Sequence, residues 1–186
     1  MKREVRILGI DDASFDKFAD RKAMVIGTLF RGGQWLDGVM TGMVDVDGDD
    51  ATDVLAAMVG RSRFRSQLQC IMLDGIALGG FNIVDIEALS QKTGIPVIAV
   101  MRTHPNLEKI HTTLRKLGKG DKIPLLERAG TIYKGEGMHF QVKGASEEEA
   151  REFLKLSTTR ANIPEPLRVA HLIGAGIGKG ESTGRA

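Results

Sequence analysis

Side-chain carboxylates follow several apolar segments of the chain. Asp11 and Asp12 come directly after VRILGI, and Asp74 ends the later run CIML. The segment 45–53 adds five more: Asp45, Asp47, Asp49, Asp50 and Asp53. Because like charges repel and lose hydration when they are brought together, such a cluster usually requires a cation. An all-oxygen ligand set favours a hard ion, so the sequence predicts Mg²⁺ or Mn²⁺.

The bulk composition is that of an ordinary globular chain. The 186 residues are 42% hydrophobic and 27% charged, which suits a single domain over 1–186. The formal net charge of +2 is too small to indicate nucleic acid by itself. The glycine-rich polar stretch 177–186 is expected to be a flexible tail.

The cellular setting is predicted from cysteine and from hydropathy. Cys70 is the one cysteine and lies in an apolar run, where it is expected to be a buried small hydrophobe. No disulfide can form within the chain, which favours a reducing, cytoplasmic location. The N-terminus has no signal-peptide core, and no apolar run approaches the length of a membrane span.

Hydrophobic periodicity predicts an alternation of strands and helices. The predicted strands cover 5–11, 23–31, 34–46, 70–74 and 96–101, with a hairpin turn at 31–34. The predicted helices cover 51–64, 81–94, 106–118, 146–161 and 164–176, and 121–144 is read as a short helix and a hairpin around 134–137. Asp50 is a candidate N-cap of the first helix. Three hairpin-linked strands followed by βαβ units predict an α/β fold: a mixed sheet with helices on both faces.

Five short motifs span most of the chain. They are Gly9-Ile10-Asp11 before Ser14-Phe15, the segment 50–57, Leu73-Asp74-Gly75, the segment 96–102, and Ile163-Pro164-Glu165-Pro166-Leu167-Arg168-Val169-Ala170-His171. These motifs resemble endonuclease V, and more closely its archaeal relative, the deoxyuridine endonuclease (endonuclease dU) family. They occur in the family's order, and the last is the most specific.

The resemblance implies a ribonuclease H-like fold and a set of site residues. It implies Asp11, Asp50, Asp74 and His171 as catalytic residues and Asp11, Asp12, Asp50 and Asp74 as metal ligands. Asp12 qualifies only if the strand ends at Asp11, because alternation otherwise turns the two side chains to opposite faces. Substrate contacts are implied for three further residues: Gly75, Arg102 and Arg168.

Two departures from the family pattern leave alternatives open. The catalytic glutamate of endonuclease V is replaced by Asp50, a shorter carboxylate, and Asp47 or Asp53 could take its role. The Pro-Tyr-x-Pro wedge of endonuclease V is absent, and VMTGMVDVDG occupies that region. The choice of lesion therefore does not carry over from endonuclease V.

Each candidate residue also has a structural interpretation. Asp11 and Asp74 could be turn residues without a chemical role, and Asp50 could be an ordinary helix cap. His171 could be a core side chain, and Arg102 could be a surface charge. Segment 174–179 resembles a phosphate-binding P-loop, but Gly180 stands where that motif needs Ser or Thr.

The predicted function is metal-dependent nicking of DNA near deaminated bases in DNA repair, with deoxyuridine first and hypoxanthine as a further lesion. The family relation implies a nick on the 3′ side of the lesion. The alternatives are a nucleic-acid-binding module without catalysis, a ribonuclease acting on inosine-containing RNA, and a phosphatase for small molecules. The sequence does not predict the oligomeric state.

Overall fold

A seven-stranded mixed sheet forms the centre of the protein. In this computed structural model, which describes residues 4–182, the strand order is β3-β2-β1-β4-β7-β9-β8. The strands are β1 (Arg6–Asp12), β2 (Lys22–Arg31), β3 (Trp35–Asp45), β4 (Leu68–Asp74), β7 (Val97–Met101), β8 (Tyr133–Lys134) and β9 (His139–Lys143), and β5 (Ala77–Leu78) and β6 (Asn82–Ile83) form a separate hairpin. The helices are α1 (Ala51–Arg61), α2 (Ile86–Thr93), α3 (Leu107–Lys116), α4 (Ile123–Arg128), α5 (Glu147–Ser157) and α6 (Glu165–Lys179).

Strand direction brings the predicted carboxylates to one edge of the sheet. Strands β1, β4 and β7 run parallel, whereas β2, β3, β8 and β9 pair antiparallel with their neighbours. Ile10 of β1 pairs in register with Leu73 of β4. Because the next residue in each strand is an aspartate, Asp11 and Asp74 end adjacent parallel strands at the same height.

The sheet is covered on both faces, as alternation along the strands requires. Leu8 and Ile10 of β1 belong to the core under α1 and α2, whereas Ile7 belongs to the core that includes residues of α5 and α6. A third, smaller core joins α3 and α4 to the β5–β6 hairpin. Alternation therefore turns Asp11 toward the α6 face and Asp12 toward the opposite face.

Helix α6 lies directly on β1 and on the segment that follows it. Gly9 provides space for Pro166, because a Cβ atom at residue 9 would stand 2.5 Å from Pro166. The Thr28 hydroxyl donates to the Pro166 carbonyl at 2.6 Å. Farther along α6, a Cβ at Gly178 would stand 2.7 Å from the Ser14 carbonyl oxygen. Gly174 and Gly178 of the segment that resembles a P-loop are thus helix-packing residues.

The predicted mixed α/β architecture and the buried Cys70 are confirmed. The helix predicted from residue 81 begins at Ile86, because 82–83 pair with 77–78 and the Asp85 side chain accepts from the Ala88 amide. Helix α6 continues through Lys179 into the predicted tail, of which 183–186 lie outside the described residues. Within 4–182, no helix is both long and apolar enough to cross a membrane.

Candidate active site

Asp11, Asp74 and His171 form a compact group at the carboxyl ends of β1 and β4. One ligand atom from each residue lies within 4.8 Å of the others. The His171 Nδ1 atom is 2.9 Å from Asp11 Oδ2. Asp11 is 6% exposed, whereas Asp74 and His171 are partly exposed. Three residues that are distant in sequence are therefore arranged as ligands of one metal ion would be.

Burial leaves the two carboxylates short of compensating charge. Burial raises the pKa of Asp11 to about 7, and the neighbouring Asp74 and Asp12 charges add to that rise against the lowering effect of the His171 contact. Burial also raises the pKa of Asp74, although the nearby Arg102 guanidinium opposes it. A divalent cation would neutralise both groups, and the two carboxylates offer the oxygen ligands that Mg²⁺ or Mn²⁺ prefers.

The group faces an open cleft of about 530 Å³ that is lined with polar side chains. The Arg102 Nη2 atom lies 3.6 Å from Asp74 Oδ2, at the rim of the cleft. Lys179, from the last turn of α6, also lines it. Sequence reasoning missed Lys179, because it assigned that residue to a tail rather than to the helix that carries His171. The open shape and the two cations suit a polyanion such as a nucleic-acid backbone.

Asp12 lines the same cleft but is held on another side of it. Strand β1 continues through Asp12, so the condition under which Asp12 would be a metal ligand is not met. Its Oδ2 accepts a 2.7 Å hydrogen bond from the Gly79 amide. The geometry favours Asp12 as the anchor of the β5–β6 hairpin beside the cleft, and its role as a metal ligand stays a prediction.

Asp50 lies at the start of α1 and is held by Asn82 rather than by the helix. Asn82 Nδ2 donates to Asp50 Oδ1 at 2.6 Å, and the Asp45 amide donates to the same oxygen at 3.0 Å. Asp50 occupies the N-cap position of α1, as predicted, but its side chain does not make the cap hydrogen bond with the helix amides. Asn82 does so instead, because its Oδ1 accepts from the Ala51 amide. Within the described residues, Asp50 is not part of the compact group.

The other candidates for the missing glutamate also have partners. The Asp47 carboxylate accepts from the Phe81 amide at 2.8 Å, and the Asp53 carboxylate pairs with Lys92. Asp47 is the one non-glycine residue with a positive φ, 55°, within 4–182. The Asp47 contact fixes the segment before α1 onto the β5–β6 hairpin, and the Asp53 contact joins α1 to α2. Neither residue belongs to the compact group in the described part of the chain.

The two remaining predicted substrate contacts differ in position. Gly75 directly follows Asp74 with a φ of 81°, and its amide donates to the Val100 carbonyl. Arg168 forms an ion pair with the buried Glu165 and lines a different cavity, of about 690 Å³, together with Trp35. The structure therefore does not bring Arg168 into the cleft that contains Asp11.

Comparisons with known proteins identify the same family that the sequence motifs resemble. The family model described as Endonuclease dU matches residues 3–178. The UPF0215 protein of Methanothermobacter thermautotrophicus is 49% identical over 191 residues, which is 100% of this chain and 94% of that protein.

Among solved structures, a protein of unknown function from Archaeoglobus fulgidus has a TM-score of 0.86 at 42% identity, over 93% of this chain and 98% of that one. Ciona intestinalis endonuclease V, in complex with a 24mer DNA containing an inosine followed by a ribo-adenosine, has a TM-score of 0.55 at 15% identity. That match covers 89% of this chain and 82% of the other, and it shows a shared ribonuclease H-like fold.

Proposed function

Because this chain belongs to the endonuclease dU family, we propose that it is a metal-dependent endonuclease that nicks DNA beside deaminated bases. Deoxyuridine is the first substrate in this proposal and hypoxanthine the second, which gives the protein a role in DNA repair. The observation that carries the proposal is the convergence of Asp11, Asp74 and His171 within 4.8 Å at the floor of an open cleft. An open cleft admits a polymer, whereas a phosphatase for small molecules usually encloses its substrate.

The residues that would hold the metal are Asp11 and Asp74, with His171 beside them. When bound there, Mg²⁺ or Mn²⁺ would supply charge neutralisation at the scissile phosphate and an activated water molecule. The raised pKa of Asp11 fits this assignment, because a buried carboxylate without a counter-charge gains most from a nearby cation. Asp50 is proposed as a further carboxylate of the site. It would contact the metal after its side chain leaves Asn82.

The other side chains of the cleft would bind and orient the substrate. Asp11 Oδ2 contacts His171 Nδ1, which fixes the imidazole ring and leaves Nε2 as the ring atom for proton exchange. Arg102 can donate to phosphate oxygens from a planar guanidinium, while Lys179 adds a second positive charge. Neutralisation of backbone phosphates by these cations predicts salt-sensitive binding.

The test is a panel of labelled duplexes and single strands incubated with Mg²⁺ or with EDTA. The substrates carry uracil, hypoxanthine, xanthine, a mismatch or no lesion. We expect a nick on the 3′ side of uracil that requires the metal and is lost in Asp11→Asn and Asp74→Asn, while both variants remain folded by circular dichroism. Magnesium-dependent nicking that persists in either variant would contradict the assigned ligands.

Cleavage of inosine-containing RNA is the alternative function. The Ciona neighbour was crystallised with inosine followed by a ribo-adenosine, and that protein shares the fold of this chain. The panel therefore includes an inosine-containing RNA strand. Cleavage of the RNA in preference to the uracil duplex would replace the first proposal by this one. Tight binding of the panel without any cleavage would identify a nucleic-acid-binding module instead.

A further inference from the structure

An aromatic side chain stands fully exposed beside the cleft. Phe18 is 98% exposed, the highest value among the exposed large hydrophobic residues of 4–182. It lies in the 13–21 loop, which connects the end of β1 to the start of β2. Ala13, Ser14 and Phe15 of the same loop line the cleft that contains Asp11. The exposed phenyl ring therefore belongs to a loop that lines the proposed catalytic site, three residues along the chain from Phe15.

The loop is held by hydrogen bonds, so the exposure of Phe18 is built into its conformation. The Asp16 carboxylate accepts from the Phe18 amide at 2.8 Å and from the Ala19 amide at 3.2 Å. The Asp20 carboxylate accepts in turn from the Asp16 amide at 2.7 Å. At its base, the Ala13 amide donates to the Met24 carbonyl. These bonds define a turn whose tip presents the ring to solvent.

Two carboxylates and two cations flank Phe18 in this loop, and the carboxylates are occupied by amides of the loop itself. The neighbouring Lys17 extends its amine over the Phe81 ring, 5.0 Å from the centroid, which places this loop against the β5–β6 hairpin. Arg21 is also exposed. Single-stranded nucleic acid is typically bound by exposed aromatic rings, on which bases stack, next to cations that contact the phosphates.

We propose that Phe18 stacks on a nucleobase displaced from the helix beside the phosphate that is cut. This inference deepens the proposed function and depends on it. An enzyme that acts at a single altered base needs that base or its neighbour out of the stack, and a ring at the rim of the cleft can hold it there. Phe18 would thereby favour damaged sites, where a mispaired base costs less to displace.

Binding to a duplex with uracil next to 2-aminopurine tests the stacking. All proteins carry Asp74→Asn to prevent cleavage, and Phe18 is kept or replaced by Ala, Leu or Trp. Trp35→Ala is the matched control, because Trp35 is 65% exposed but is the first residue of β3, at the other end of the strands from Asp11. Fluorescence anisotropy gives the dissociation constant, and 2-aminopurine fluorescence reports whether the base leaves the helix and meets a ring.

We expect Phe18→Ala and Phe18→Leu to weaken binding to the uracil duplex by roughly 5-fold to 150-fold, the range of one lost base–aromatic stack. Phe18→Trp and Trp35→Ala should bind as the parent does. The Phe18 variants should keep the parent's thermal midpoint, because the Phe18 ring is 98% exposed. Binding by Phe18→Leu that equals the parent's would overturn stacking in favour of a simple apolar contact, and unchanged binding by Phe18→Ala would overturn any contact.

The nicking panel separates this inference from the proposed function. If the natural chain nicks uracil DNA and Phe18→Ala nicks and binds equally well, the inference alone fails. If the natural chain neither nicks nor binds any member of the panel, the proposed function fails and the inference falls with it.

Discussion

Replacing Asp11 by asparagine should abolish activity and yet stabilise the metal-free protein at alkaline pH. Burial and the neighbouring Asp74 and Asp12 charges raise the pKa of Asp11 from its ordinary value of 3.8 to about 7. At 1.36 kcal/mol for each pKa unit, this difference corresponds to about 4 kcal/mol. The folded protein thus retains a proton on Asp11 that the unfolded chain releases.

The sign of the pH dependence follows from this proton. Between about pH 4 and pH 7 the folded state binds more protons than the unfolded state, so the contribution of Asp11 to stability is fully present below pH 4 and is lost progressively until pH 7. Asparagine cannot ionise and avoids that loss. The substitution also removes the contact between Asp11 and His171, which lowers the free energy of unfolding by about 1.5–3 kcal/mol and so offsets part of this gain. A net gain of about 1–2.5 kcal/mol remains at pH 8, or about 2–10 °C in the melting temperature of a domain of this size.

Thermal unfolding in EDTA at pH 5 and pH 8 measures this effect. At pH 5 only about 1.6 kcal/mol of this cost is present, because pH 5 lies about 1.2 units above the ordinary pKa of 3.8, and the lost His171 contact cancels it, so Asp11→Asn should bring no gain there. The matched control is Asp121→Asn, an exposed carboxylate in the short helical turn before α4, which should follow the pH profile of the natural chain. Added Mn²⁺ should raise the melting temperature of the natural chain and of the control, but not that of Asp11→Asn.

Two results would refute this reasoning. The first is a natural chain that loses no more stability than Asp11→Asn between pH 5 and pH 8, which would mean that the buried carboxylate carries no electrostatic cost. The second is an equal stabilisation of both proteins by Mn²⁺, which would place the metal elsewhere.

Three further predictions test how the site is held. Gly178→Ala should slow nicking about tenfold and lower the melting temperature, because its Cβ would meet the Ser14 backbone carbonyl at 2.7 Å and displace α6. Gly176→Ala, with open space around residue 176, should leave both nicking and the melting temperature intact. Asn82→Ala should lower the free energy of unfolding by about 1–3 kcal/mol for each buried group that loses its partner, as measured by urea titration. Arg102→Gln should weaken nucleic-acid binding and reduce the slope of log K against log salt by about 1, as measured by anisotropy.

The sequence predicted the strands of the site and the residues at their ends. An apolar run that stops at an aspartate indicates a buried strand reaching the edge of a sheet, and this is where Asp11 and Asp74 lie. Alternation along a strand also predicted that Asp11 and Asp12 would separate if the strand continued through both, as it does. These features depend on neighbours in the chain, so local rules suffice for them.

Tertiary structure alone decided which carboxylates meet. Asp50 was the natural match to the family glutamate, but it is held by Asn82, a residue 32 positions away that no local pattern connects to it. His171 contacts Asp11, which is 160 residues away in the sequence. The contact forms because Gly9 lets Pro166 lie against β1, and because Gly178 lets the end of α6 lie against Ser14 in the loop that follows β1. Register between strands and contact between a helix and a sheet depend on the packing of the whole core, and neither can be predicted from the period of one segment.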